Sequence, residues 1–101
     1  MLYLTFDDGP HPEHTPAILD LLRQHRATAT FFLVGELVDR HPDVVRRIVD
    51  EGHLLGNHSW SHPRMPDLSI QAQLEEIART DARLASYDGR ARHTFRPPYG
   101  Q

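Results

Sequence analysis

Two adjacent carboxylates, Asp7 and Asp8, stand in an Asp-Asp-Gly-Pro turn directly after a short apolar run. Neighbouring side chains at a strand end point in different directions, so one carboxylate can hold a metal ion while the other stays free as a base. His58 and His62 form a His-Ser-Trp-Ser-His pair. On one helical turn, imidazoles four residues apart face the same way and can grip a single ion. The position after His58 is Ser59, not the Glu that zincin proteases require, so that motif is not matched. Arg96-Pro97-Pro98-Tyr99 is a stiff segment that presents a backbone amide and a guanidinium able to pair with a carboxylate. Two imidazoles and a carboxylate suit zinc, and also iron, cobalt or nickel. Each motif alone also has a plainer reading, as a turn, a chance pair or a rigid loop.

The order of elements is what makes the three act together. Leu2 to Phe6 reads as a β-strand, and Thr15-Pro16 as the cap and first position of a helix running through His25, with Ile18, Leu21 and Leu22 as its apolar stripe. Residues 29–34 form a strand apolar on both faces, stopped by Gly35. Pro42 opens a second helix, with Val44, Val45, Ile48 and Val49 facing inward and Gly52 closing it. Residues 54–57 are a third strand, and a long helix follows from about Ser69 to Ser86 with Leu74, Ile77, Ala78, Leu84 and Ala85 as its stripe. Thr94-Phe95-Arg96 reads as a fourth strand, cut off by Pro97-Pro98. Four strands alternating with three helices imply an α/β fold with a parallel sheet and right-handed crossovers. Loops leaving the carboxyl ends of such strands share one face, where active sites are built. Asp7, Asp8, His58, His62 and Arg96 all fall there. His25, His41, His53 and His93 read as solvated or capping residues at helix ends and loop edges. His11 and His14 lie on the Asp-Asp loop and receive no role. Trp60 is either a pocket wall or core.

Composition narrows the chemistry further. A chain of 101 residues is one domain, and it has no cysteine, which excludes disulfides, thiolate zinc sites and a cysteine nucleophile. All 11 basic residues are arginine, which excludes a Schiff-base or P-loop lysine. The net charge of −3 carries no nucleic-acid footprint. No apolar run is long enough for a membrane span, and no signal peptide is visible at the start. The chain is expected to be cytoplasmic if complete, and compatible with export if its start is truncated. Its last strand runs out with no helix to cover it, so the sheet looks unfinished.

With these residues identified, the sequence resembles the polysaccharide deacetylase family, the NodB-homology domain of carbohydrate esterase family 4. Thr5-Phe6-Asp7-Asp8-Gly9-Pro10 matches its first motif, His58-Ser59-Trp60-Ser61-His62-Pro63 its second and Arg96-Pro97-Pro98-Tyr99 its third. The resemblance covers all of residues 1–101. It implies the N-terminal half of a distorted, incomplete (β/α) barrel. It also implies that Asp8, His58 and His62 bind a divalent metal, usually Zn2+, with Co2+ or Ni2+ as alternatives. Asp7 would be the general base, Arg96 its partner, and the Tyr99 amide a donor to the oxyanion, with Pro97 and Tyr99 against the substrate. The implied substrate is an N-acetylated glycan, chitin oligomers or peptidoglycan. Two later family motifs, which carry the general acid, are not matched. That leaves a second reading open, a metal- or sugar-binding remnant without catalysis.

Overall fold

The computed structural model describes residues 3–100. Strand β1 (Leu4–Asp7) leads through a loop to helix α1 (His14–Gln24). Then come β2 (Ala29–Leu33), α2 (Gly35–Arg40), α3 (Pro42–Asp50), β3 (Leu54–Asn57) and the long α4 (Ile70–Asp88). Short 3-10 turns at Met65–Asp67 and Pro98–Gly100 complete the order. Leu2, expected to open the first strand, lies outside the described residues.

The sheet is parallel, in the order β1-β2-β3. The central strand, β2, is buried along its whole length, as a run apolar at every position but Thr30 requires. Its register sets the site, because Asp7 pairs with Phe32 and Asn57 with Leu33. All strands therefore run out at one level. The next residues continue the ladder by a single bond each: Asp8 N–H donates to the Phe32 carbonyl at 3.1 Å and His58 N–H to the Leu33 carbonyl at 3.0 Å.

Three strands and four helices among the described residues replace the expected four and three. Residues 94–96 make only one parallel bridge, Asn57 to Phe95. Pro97 and Pro98 have no N–H to donate, so the ladder cannot propagate. The additional helix, α2, has six residues and one fully buried apolar side chain, Val38. That is too short to leave a periodic signal.

The core lies between the sheet and its helices, with Leu19, Leu33, Val38, Val45, Ile48 and Leu84 fully buried. Each such side chain is worth about 1.5–3 kcal/mol relative to exposure. Two expected stripes rotate. In α1, Leu19 and Leu22 are buried while Leu21 is exposed, and the helix starts before Thr15. The Thr15 hydroxyl instead accepts the His11 N–H at 2.8 Å. In α4, Leu74 is exposed and Thr80 is fully buried. Thr80 tolerates burial because its hydroxyl donates to the Glu76 carbonyl of its own helix at 3.0 Å. Its neighbour is Gly35, where a Cβ would meet the Trp60 ring at 2.2 Å and Thr80 Oγ1 at 2.8 Å. Only glycine lets α2, α4 and the His58–His62 segment pack this closely. Trp60 is thus a core residue, with the Arg79 guanidinium stacked 3.9 Å over its ring. No helix among the described residues is long and apolar enough to cross a membrane.

Candidate metal centre and its cleft

Asp7, Asp8, His58, His62, Arg96, Pro97, Tyr99 and Gly100 line one cleft of about 400 Å³ at the carboxyl ends of the strands. Every residue singled out in the three motifs is there. Asp8 Oδ1 lies 3.0 Å from both His58 Nε2 and His62 Nε2. One ligand atom from each of the three falls within 4.8 Å of the others, the one such group among the described residues.

The two histidines do not sit on a helical turn. Residues 58–62 are a loop, in which Ser59 and His62 adopt left-handed backbone, φ 73° and 59°. Asp8 and Tyr99 do the same, with φ 78° and 60°. Side chains rarely accept this region, at a cost of roughly 1–2 kcal/mol per residue. Five non-glycine residues have positive φ among those described, and four of them are in this site. Strain gathered in one place is held by surrounding structure and marks a site under functional constraint. Here the holding groups are visible: Ser59 N–H donates to Asn57 Oδ1 at 2.9 Å, and His62 N–H to Ser59 Oγ at 3.0 Å.

His58 is buried, 3% exposed, and its Nδ1 is 2.7 Å from the Arg96 carbonyl oxygen. A carbonyl only accepts, so Nδ1 carries a proton. In the neutral ring Nε2 is then a bare lone pair aimed at a carboxylate oxygen, which is also an acceptor. Two facing acceptors at 3.0 Å repel unless a cation or proton sits between them. The donor set and its backbone-fixed tautomer therefore fit a divalent ion, in the manner of metal-bound histidines whose far nitrogen is anchored to a carbonyl.

Asp7 points elsewhere, as adjacent strand-end residues should. Its Oδ1 accepts from Arg96 Nη1 at 2.8 Å, and the same Nη1 reaches Thr5 Oγ1 at 3.0 Å. The guanidinium stacks 4.1 Å over the Phe32 ring. Tyr99 is exposed and sets its ring edge-on to His62, centroids 4.9 Å apart. His11 and His14 do not line this cleft. They stack 4.1 Å apart over the start of α1, where His11 Nδ1 accepts the N–H groups of Glu13 and His14.

Several residues of the surroundings received no site role from the sequence: Thr5, Phe32, Asn57, Glu76, Asp81 and His93. Glu76 Oε1 accepts from the N–H groups of Trp60 and Ser61, holding the histidine loop to α4. His53 and His93 are not the solvated residues expected. His53 is 6% exposed, its Nδ1 accepting the Ala29 N–H at 3.1 Å. The His93 ring is 1% exposed between two aspartates. Ala29 is 24 residues from His53, and Asp81 and Asp88 are 12 and 5 from His93. One sequence signal was available for His93: Asp81 and Asp88 are seven apart, on one stripe of a helix.

Comparison with known proteins identifies the family. The sequence matches the family profile described as polysaccharide deacetylase over residues 1–101. It is 47% identical over 98 residues to the peptidoglycan-N-acetylglucosamine deacetylase of Bacillus cereus, covering 97% of this chain and 36% of that protein. It is 48% identical over 85 residues to a chitooligosaccharide deacetylase of Rhizobium leguminosarum bv. trifolii, covering 84% of this chain and 40% of that one. The crystal structure of the Bc1960 peptidoglycan N-acetylglucosamine deacetylase superposes with a TM-score of 0.95 at 45% identity, covering 98% of this chain and 46% of that one. The chain spans less than half the length of each of these relatives.

Proposed function

We propose, for a chain that belongs to the polysaccharide deacetylase family, that this cleft serves metal-dependent removal of N-acetyl groups from a glycan built on N-acetylglucosamine. The observation that carries the reading is the convergence of Asp8 Oδ1 with His58 Nε2 and His62 Nε2, beside a separate Asp7–Arg96 pair. Relatives are named for peptidoglycan and for chitooligosaccharides, so both polymers are candidate substrates.

In this reading Asp8, His58 and His62 hold the ion, Zn2+ by the donor set, with Co2+ or Ni2+ as substitutes. When bound, such an ion supplies Lewis acidity, polarising an amide carbonyl and making water a better nucleophile. Asp7 takes the proton of the attacking water at its carboxylate. Arg96 orients that carboxylate by holding Oδ1, and Thr5 and Phe32 hold Arg96 in turn. Pro97 and Pro98 carry no N–H, so the Tyr99 amide is the first donor after Arg96 for the developing oxyanion. One well-aimed donor of that kind is worth about 3–4 kcal/mol. Pro97 and the exposed Tyr99 ring form the wall against which the sugar lies.

The test is acetate release from N-acetylated chitin oligomers and from peptidoglycan, with the protein loaded with Zn2+ and again after a chelator. Zn2+-dependent release from either polymer supports the reading. Binding of Zn2+ and oligomer without release favours a non-catalytic metal- and sugar-binding role instead.

A further inference from the structure

Behind the cleft runs a buried chain of hydrogen bonds that the proposed reaction does not use. Asn57, the last residue of β3, is fully buried and engages every polar atom it has. Its N–H donates to the Thr94 carbonyl at 2.8 Å, and its carbonyl accepts the Arg96 N–H at 2.9 Å. Its Nδ2 donates to the Ile77 carbonyl and to Asp81 Oδ1, both at 2.9 Å, while Oδ1 accepts from Ser59. Asp81 Oδ1 also faces His93 Nδ1 at 3.1 Å, and His93 Nε2 faces Asp88 Oδ2 at 2.8 Å. Carboxylate oxygens accept, so the ring satisfies both neighbours with a proton on each nitrogen.

The chain ends where the candidate ligands begin. Residues 94–96 form no strand and hold to the sheet through the two backbone bonds at Asn57. Besides the Arg96 side-chain contacts to Thr5, Asp7 and Phe32, their anchor to α4 is His93, clamped between Asp81 and Asp88. Arg96 in turn fixes the site twice, its carbonyl receiving the His58 Nδ1 proton and its guanidinium holding Asp7. Displacement of this segment moves both together, and about 1 Å of misplacement can cost 10²-fold in rate.

We propose that His93, held by Asp81 and Asp88, is a positioning residue that ties residues 93–96 to α4 and so sets the orientation of the His58 imidazole and the Arg96 guanidinium. Its kinetic consequence rests on the deacetylase reading; its structural consequence does not. A clamp that only stapled the helix would add stability and leave His58 untouched.

The experiment uses the whole chain with His93→Gln, whose amide puts one nitrogen donor and one oxygen acceptor in place of two ring N–H groups, so it cannot donate from both ring positions. In the metal-free protein, NMR follows the hydrogen-bonded Nδ1 proton of His58. Its exchange with water is expected to accelerate at least about tenfold. In the Zn2+-loaded protein, acetate release from an N-acetylated chitin oligomer is expected to lose about 10–100-fold in kcat, with KM within about twofold. Arg46→Ala, which breaks an exposed ion pair to Asp43 within α3, serves as the control and should change neither. An unaltered His58 proton in folded His93→Gln overturns the proposal, as does an equal change in the control. If His93→Gln does not fold, Asp88→Asn carries the test: faster His58 exchange supports the clamp, and unchanged exchange overturns it. Absence of acetate release from the unsubstituted protein would sink the deacetylase reading alone, because the NMR result stands without turnover.

Discussion

His53 and His58 flank the two ends of β3, both buried, 6% and 3% exposed, and the backbone gives them opposite tautomers. Below the strand, Ala29 presents an N–H, so His53 Nδ1 must accept. Above it, Arg96 presents a carbonyl, so His58 Nδ1 must donate. The first arrangement staples β2 to the start of β3 through Nδ1. The second leaves Nε2 as a lone pair turned to a carboxylate and a second imidazole. Residue type and burial are nearly the same at the two ends; the polarity of one backbone partner decides which ring nitrogen is left as the acceptor. The arginines follow the same division. Arg47 pairs with Glu51, one helical turn away, and with Asp20 on α1. Arg96 reaches 89 residues back to Asp7.

The sharpest way to break this contrast is at the upper end. Asp7→Asn should lower acetate release by about 10²–10⁴-fold while Zn2+ stoichiometry stays that of the unsubstituted chain. Equal metal loss in Asp7→Asn and Asp8→Asn would end the separation of base from ligand. Next, His58→Ala should lose most bound Zn2+, while His53→Ala retains it, as metal analysis of the two purified proteins would show. Retained metal in His58→Ala would make the two ends alike after all.

At the lower end the effects are on stability. His53→Phe leaves the Ala29 N–H without its partner, and an orphaned buried donor costs about 1–3 kcal/mol. Urea unfolding would read that loss, with metal content unchanged. The same variant tests a pH dependence. Burial pushes the His53 imidazole below its ordinary value of 6.5, with Glu51 opposing weakly. The unfolded chain therefore takes up the proton first as pH falls. The stability owed to neutral His53 is complete above about pH 6.5 and drains as pH drops through the lowered folded value. The stability gap between the unsubstituted chain and His53→Phe should be wide at pH 7.5 and narrower at pH 5.5. A constant gap would count against the neutral-ring assignment. The smallest change is expected for Arg46→Ala, whose ion pair with Asp43 is exposed on both sides. Ion pairs of this kind contribute about 0–1 kcal/mol, less at high salt.

Reading the strands from sequence worked best where a segment is buried on both sides. Residues 29–33 are apolar but for Thr30 and buried throughout, so they could be little else than a central strand, and 54–57 follow from the turn at Gly52. Helix faces were less legible. Leu21 and Leu74 fit a periodic stripe yet face solvent, while Thr80 breaks the pattern yet is buried. Periodicity marks which face could be apolar, and packing partners decide which is. Helix α2 escaped because six residues carry too little period to be seen.

The motifs themselves are local in sequence, and their types and spacing were enough to name Asp7, Asp8, His58, His62, Arg96, Pro97 and Tyr99 as one group before any coordinates. Parallel strands put their exits on one face, so that much followed from the order of elements. Tertiary structure alone decided how the group is held. The tautomers of His53 and His58, the Asp7–Arg96 pair and the contact of His93 with Asp81 depend on partners 12 to 89 residues distant. A hydrogen bond is fixed by where its acceptor stands in space, and chain order specifies that only after the helices have packed on the sheet.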